Sequence, residues 1–127
     1  MYFTDTMKKD VLAFDYDLAT GNVSNKRVFY HHEGDGGPDG FRVDKEGSIW
    51  HAIYGESRVI KISPEGKLVG QVLIPTRNAT CVQFIGTTMW ITSAGDKEGE
   101  GKSKELGGGV FCCDVGVEGL DPFEYKM

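Results

Sequence analysis

The sequence predicts an all-β chain forming part of a β-propeller, with about two and a half four-stranded blades over residues 1–127 as one domain. Three observations carry that prediction. Short runs rich in Val, Ile and aromatic residues alternate with glycine-bearing turns, and none of them has a 3.6-residue apolar period. One unit recurs three times, with its aromatic position at Tyr2, Trp50 and Trp90, spaced 48 and 40 residues apart. Finally, the glycine content is high (18 residues) while proline is scarce (4), which suits strands joined by tight turns.

The first unit holds strand-like runs at 1–6, 10–15 and 26–30. The second has runs at 48–54, 58–62 and 68–74, and the third at 88–94 and 109–113. Turns at Asp17–Gly21 and Pro64–Lys67 fall at the same place in consecutive units, each with a glycine where a positive φ is needed. Phe41–Asp44 and Cys81–Phe84 precede the aromatic position and read as the innermost strands of their blades. No such strand precedes Tyr2, so the chain is expected to begin inside a blade. Too few blades are present to close a ring, so exposed edges and apolar faces are expected. Self-association through those edges, or membership of a longer protein, is one consequence.

Composition excludes several functions. The net charge is −5 and no basic run exceeds two residues, which argues against nucleic-acid and anionic-membrane binding. No apolar stretch approaches the ~18 residues that cross a bilayer. The N-terminus reads as lacking a signal peptide, and three cysteines, two adjacent, do not make a disulfide framework. A reducing, cytoplasmic location is expected. The glycosylation sequons at Asn22 and Asn78 carry meaning only on secretion.

Pro38-Asp39-Gly40 reads as a rigid turn feeding the Phe41–Asp44 strand, with Asp39 placed to grip a hard cation. Asp15 and Asp17 read as turn caps, and Asp5 and Asp44 as strand-end residues. His31-His32 reads as a surface linker, and His51 as a strand residue able to reach a central channel. Cys112 and Cys113 point to opposite faces of one strand and do not share a metal. Gly99–Ser103 lacks the first glycine of a phosphate-binding loop and no helix is expected after it, so 95–109 reads as a mobile surface loop.

Taken in order, Met1–Thr6, Phe14–Asp17, Gly37–Gly40, Val43–Gly47, Ile49–Ala52, Pro64–Lys67, Ile74-Pro75, Thr80–Gly86 and Gly107–Phe111 resemble the C-terminal half of the SMP-30/gluconolactonase/regucalcin family. The resemblance implies a six-bladed propeller that binds one divalent cation, Ca²⁺, Zn²⁺, Mn²⁺ or Mg²⁺, and hydrolyses a sugar lactone with metal-activated water. It maps one metal ligand and catalytic carboxylate onto this chain, Asp39. The other two expected ligands, an asparagine and a glutamate, fall before Met1, so the site is incomplete and the isolated chain is expected to be inactive. The alternatives are a propeller binding module and a truncated remnant without catalysis.

Overall fold

A computed structural model of the chain describes residues 1–122. Ten strands follow one another: β1 (Tyr2–Asp5), β2 (Asp10–Tyr16), β3 (Val23–His31), β4 (Gly37–Val43), β5 (Ile49–Tyr54), β6 (Arg58–Ile62), β7 (Leu68–Leu73), β8 (Ala79–Ile85), β9 (Thr88–Ser93) and β10 (Val110–Asp114). They form three antiparallel sheets: β1-β2-β3, β4-β5-β6-β7 and β8-β9-β10. Each sheet is a meander of sequence neighbours. The fold is a partial β-propeller, as expected: among the described residues the first sheet has no innermost strand and the third no outermost one.

Turn chemistry sets the meanders. Gly21 and Gly66 have φ of +75° and +76°, so both turns use the left-handed region that a side chain disfavours. Asp17 caps its own turn, accepting from Ala19 N at 2.9 Å and Thr20 Oγ1 at 2.7 Å. Asp15 takes an exposed pair with Arg27 at 2.9 Å.

Alternation along the strands decides which faces are buried. In β5, Ile49, His51 and Ile53 face the first sheet, where Val11 joins Ile49, Ile53, Ile60 and Ile62 in a fully buried cluster flanked by Tyr2, Phe29 and Phe41. Trp50 and Ala52 face the third sheet and pack with Val59, Val82, Met89 and Ile91. The central sheet is thus buried on both faces, so its middle strand β5 is apolar almost throughout. β4 and β5 both contact β8, and β1 touches β4, which places β4 and β8 at the inner side of the stack.

Asp44 ties the central sheet together. Its carboxylate is wholly buried and accepts from Glu46 N (3.0 Å), Ser48 N (2.8 Å) and the Trp50 indole (2.8 Å), with Lys61 Nζ at 3.4 Å. Lys61 also lies 5.1 Å from the centre of the Trp50 ring.

Three expectations change. Pro38-Asp39-Gly40 is not a turn; it lies within β4, where Pro38 pairs with Ile53 and Phe41 with His51, so two residues oppose Ala52 alone as a bulge. Proline is tolerated there because β4 is an edge strand. His31 ends β3, but His32 is buried rather than part of a surface linker. The segment 95–109 contains a short helix, α1 (Gly101–Leu106). It is tied down by Ser103 Oγ, which donates to Asp96 at 2.7 Å and accepts from Arg77 N at 2.8 Å, while Arg77 pairs with Asp96 at 2.9 Å.

Replacing Asp44 by Ala strands three donors and takes from the half-buried Lys61 ammonium its buried partner, leaving it Glu46 alone. Urea unfolding should show a loss of about 3 kcal/mol or more, against roughly 1–2 kcal/mol for Asp44→Asn, which keeps an acceptor oxygen. A loss below ~1 kcal/mol for Asp44→Ala would show that the carboxylate does not hold the sheet.

Candidate functional site

The bulge in β4 determines where Asp39 sits. With two residues opposing one, the strand bends and Asp39 is turned out of the ladder alternation. Its neighbour Gly40 is forced by packing: a Cβ there would lie 2.6 Å from Cys81 Sγ and 2.8 Å from the Thr80 carbonyl. Only glycine lets β4 approach β8 so closely, and that approach forms one wall of a cleft.

The cleft has a volume of about 680 Å³ and is lined by Asp39, Phe41, Arg42, Cys81, Gln83 and, from the C-terminal segment, Leu120 to Pro122. Arg42 Nε donates to Gln83 Oε1 at 3.3 Å and Arg42 Nη1 to the Phe41 carbonyl at 3.0 Å, so the guanidinium is held across the β4–β8 seam. Asp39 is exposed, and among the described residues no donor reaches its carboxylate. Partial burial pushes its pKa up from the ordinary carboxylate value. An acid with a raised pKa in a cleft is a candidate proton acceptor or cation ligand.

Asp39 is brought together with Arg42, Cys81 and Gln83, none of which the sequence reading singled out. Arg42 was detectable in principle, because β4 carries it between Phe41 and Val43, both turned inward. No group of three His, Cys, Asp or Glu side chains capable of holding a metal occurs among the described residues. The cleft holds two carboxylates, Asp39 and Asp121, which supply too few of the about six to eight oxygens that Ca²⁺ takes. The residues present therefore do not by themselves fit a divalent cation.

The other candidates have structural roles. His51 is fully buried between the first two sheets, 5.3 Å from the ring of Phe41, and does not reach a channel. Its Nδ1 faces the Ala52 carbonyl at 3.2 Å, which can only accept, so Nδ1 carries the proton and Nε2 accepts from Thr4 Oγ1 at 2.8 Å. Burial lowers its pKa to about 4 and keeps it neutral. His32 bonds Glu56 Oε1 at 3.0 Å, with Gly36 N on the same oxygen at 2.7 Å and Arg58 Nε on the other at 2.8 Å. Burial would raise the Glu56 pKa, but the bonds from His32, Gly36 and Arg58 outweigh it and lower the value to about 2. His31 pairs with Asp10 at 2.7 Å on the surface. Cys81, Cys112 and Cys113 are free thiols.

An antiparallel three-sheet stack with a bulged inner strand defines a segment of a β-propeller. The chain belongs to the SMP-30/Gluconolactonase/LRE-like family, whose model matches residues 1–95. It is 39% identical to a regucalcin of Sus scrofa over 98% of its length, and 38% identical to that of Danio rerio. Among solved structures, a luciferin-regenerating enzyme superposes over 100% of the chain with a TM-score of 0.88 and 35% identity. A regucalcin from Agrobacterium tumefaciens, described as a calcium-binding protein, does so over 97% with a TM-score of 0.82 and 29% identity. The chain spans less than half of these relatives: 44% and 45% of the two regucalcin sequences, and 45% and 43% of the two structures.

Fully buried His51 and part-buried Glu56 give the fold a two-stage response to acid. His51 has a folded pKa below its unfolded value of 6.5, so the unfolded state binds its proton first and stability falls as pH drops from 6.5 towards 4. Glu56 is likewise depressed from 4.5 to about 2, so its contribution is present above pH 4.5 and is lost as pH falls towards 2. Urea midpoints should fall through both windows. Glu56→Gln should flatten the lower window only, and an unchanged slope between pH 4.5 and 2 would refute the assignment.

Proposed function

We propose that this chain is one part of a metal-dependent sugar lactonase of the gluconolactonase type, contributing Asp39 as a metal ligand and proton acceptor. The observation that carries the reading is Asp39 itself: a carboxylate without a hydrogen-bond donor among the described residues, its pKa raised, on a bulge at the wall of a cleft. An acid in that state accepts a proton more readily than an ordinary surface aspartate. Arg42 and Gln83 line the same cleft and offer donors to the hydroxyl and ring oxygens of a polyhydroxylated lactone. The remaining ligands come from residues outside these 127. We place the protein in a reducing, cytoplasmic compartment, a reading supported by three free thiols, with Cys112 exposed.

The purified 127-residue chain should hydrolyse gluconolactone no faster with Ca²⁺, Zn²⁺, Mn²⁺ or Mg²⁺ than in buffer alone. A chimera in which this chain replaces the matching segment of the Sus scrofa regucalcin should show metal-dependent turnover. Asp39→Asn in that chimera should reduce it by a factor of about 100 or more, with the circular dichroism spectrum unchanged. Metal-stimulated turnover by the chain alone, or a fully active folded Asp39→Asn chimera, would overturn the reading.

A further inference from the structure

The chain has four arginines, and three of them face a carboxylate: Arg27 pairs with Asp15, Arg58 with Glu56 and Arg77 with Asp96. Arg42 pairs with no carboxylate among the described residues, and its partners are neutral. Nε donates to Gln83 Oε1 at 3.3 Å and Nη1 to the Phe41 carbonyl at 3.0 Å. Gln83 Oε1 is itself held by the Phe84 amide at 3.0 Å, which fixes the side-chain amide with its oxygen towards Arg42. A guanidinium carries five N–H donors. Two bonds therefore set its plane, while Nη2 and the second hydrogen of Nη1 stay unengaged among the described residues. A planar fork held in this way, with its charge not offset, matches the two oxygens of a carboxylate or phosphate.

Arg42 shares β4 with Asp39, and the bulge brings these side chains, three residues apart, to one cleft. A strand rises about 3.3 Å per residue, so the two backbone positions are at most ~10 Å apart. That span suits the two ends of a sugar-acid chain better than two atoms of one lactone ring. The other acid of the cleft, Asp121, faces a different cation: Glu118 first, and then Asp121, raises the pKa of Lys45.

Given the lactonase reading of Asp39, on which this rests, we propose that Arg42 is a specificity residue for an anionic substrate. The substrate is a sugar-acid lactone with a carboxylate or phosphate at the end of its chain remote from the ring carbonyl. A neutral hydroxyl takes one N–H of Arg42 and leaves the charge bare, whereas an anion takes two and offsets it.

The Sus scrofa regucalcin chimera is assayed with gluconolactone, a glucaric acid monolactone and a phosphorylated gluconolactone. For one or both anionic lactones kcat/KM should exceed that for gluconolactone about tenfold, through a lower KM. The lactone that is favoured tells carboxylate from phosphate. The ratio should shrink as salt rises from ~20 to ~300 mM. Arg42→Gln should bring it to about one with the circular dichroism spectrum kept, and Arg42→Lys should retain part of it, since a cation without the fork remains. A ratio below about two in the unsubstituted chimera, or one unchanged by Arg42→Gln, would overturn the proposal. If none of these lactones shows metal-dependent turnover, the lactonase reading fails, and the anion subsite is decided on the 127-residue chain itself. There the Arg42 Nε–Hε resonance, identified by its loss in Arg42→Gln, should move on addition of glucarate and not of sorbitol. An unmoved resonance would overturn the anion subsite.

Discussion

The buried carboxylate of Asp44 is the constraint on which the central sheet depends. A charge with no solvent contact is tolerable only where donors converge on it, and here the two nearest backbone amides, an indole and an ammonium do so. Those donors come from the β4–β5 turn, from β5 and from β6. The carboxylate therefore fixes the turn geometry, the rotamer of Trp50 and the placement of Lys61 together. Trp50, held at its nitrogen, presents its ring edge to Phe84 at 6.2 Å and thereby locates the third sheet. The local knot sets the spacing between sheets.

The same chain of consequences leads to the cleft. With β4 anchored at its C-terminal end by Asp44 and packed against β8 through Gly40, the extra residue of the strand can be absorbed only between Pro38 and Phe41. Phe41 must turn inward to meet His51, so Asp39, two residues earlier across the bulge, is released from the regular alternation. His51 is neutral and bonded to Thr4, which lets the first sheet press on the second without introducing a charge. The carboxylates of Asp44 and Glu56 each accept from several donors, whereas Asp39 is left without a donor among the described residues. That contrast separates it from the structural acids Asp44 and Glu56.

Much of this was legible before any coordinates. The repeated aromatics, the glycine of each third turn and the alternation in β5 and β9 all act within a few residues, so strand order and sheet grouping followed from local pattern. What escaped was governed by distant partners. Pro38-Asp39-Gly40 has turn chemistry, yet the β5 ladder pulls it into a strand. His32 looks like half of a surface pair until Glu56, 24 residues on, closes over it. The helix Gly101–Leu106 has weak helical signals, and its stability comes from Ser103 locking onto Asp96 and Arg77. In the cleft, Arg42 and Gln83 meet across a seam between two blades, a relation no single-strand pattern records.

A propeller is a one-dimensional stack bent into a circle, and its two functions place different demands on the number of sheets. Burial is served pairwise: each added sheet covers one face and exposes another, so three sheets bury two interfaces well and leave two faces open. Cation coordination is served only by convergence, because oxygen ligands about 2.3–2.6 Å from a metal must come from several directions around it. Inner strands on one side of an axis present their carboxylates from one side. The cleft at Asp39 therefore has the character of a partial site by geometry as well as by ligand count: an acid, a guanidinium and an amide share one wall, with the opposing wall to be built by other sheets. The stack can fold from local rules well before it can assemble the chemistry that the closed circle supports.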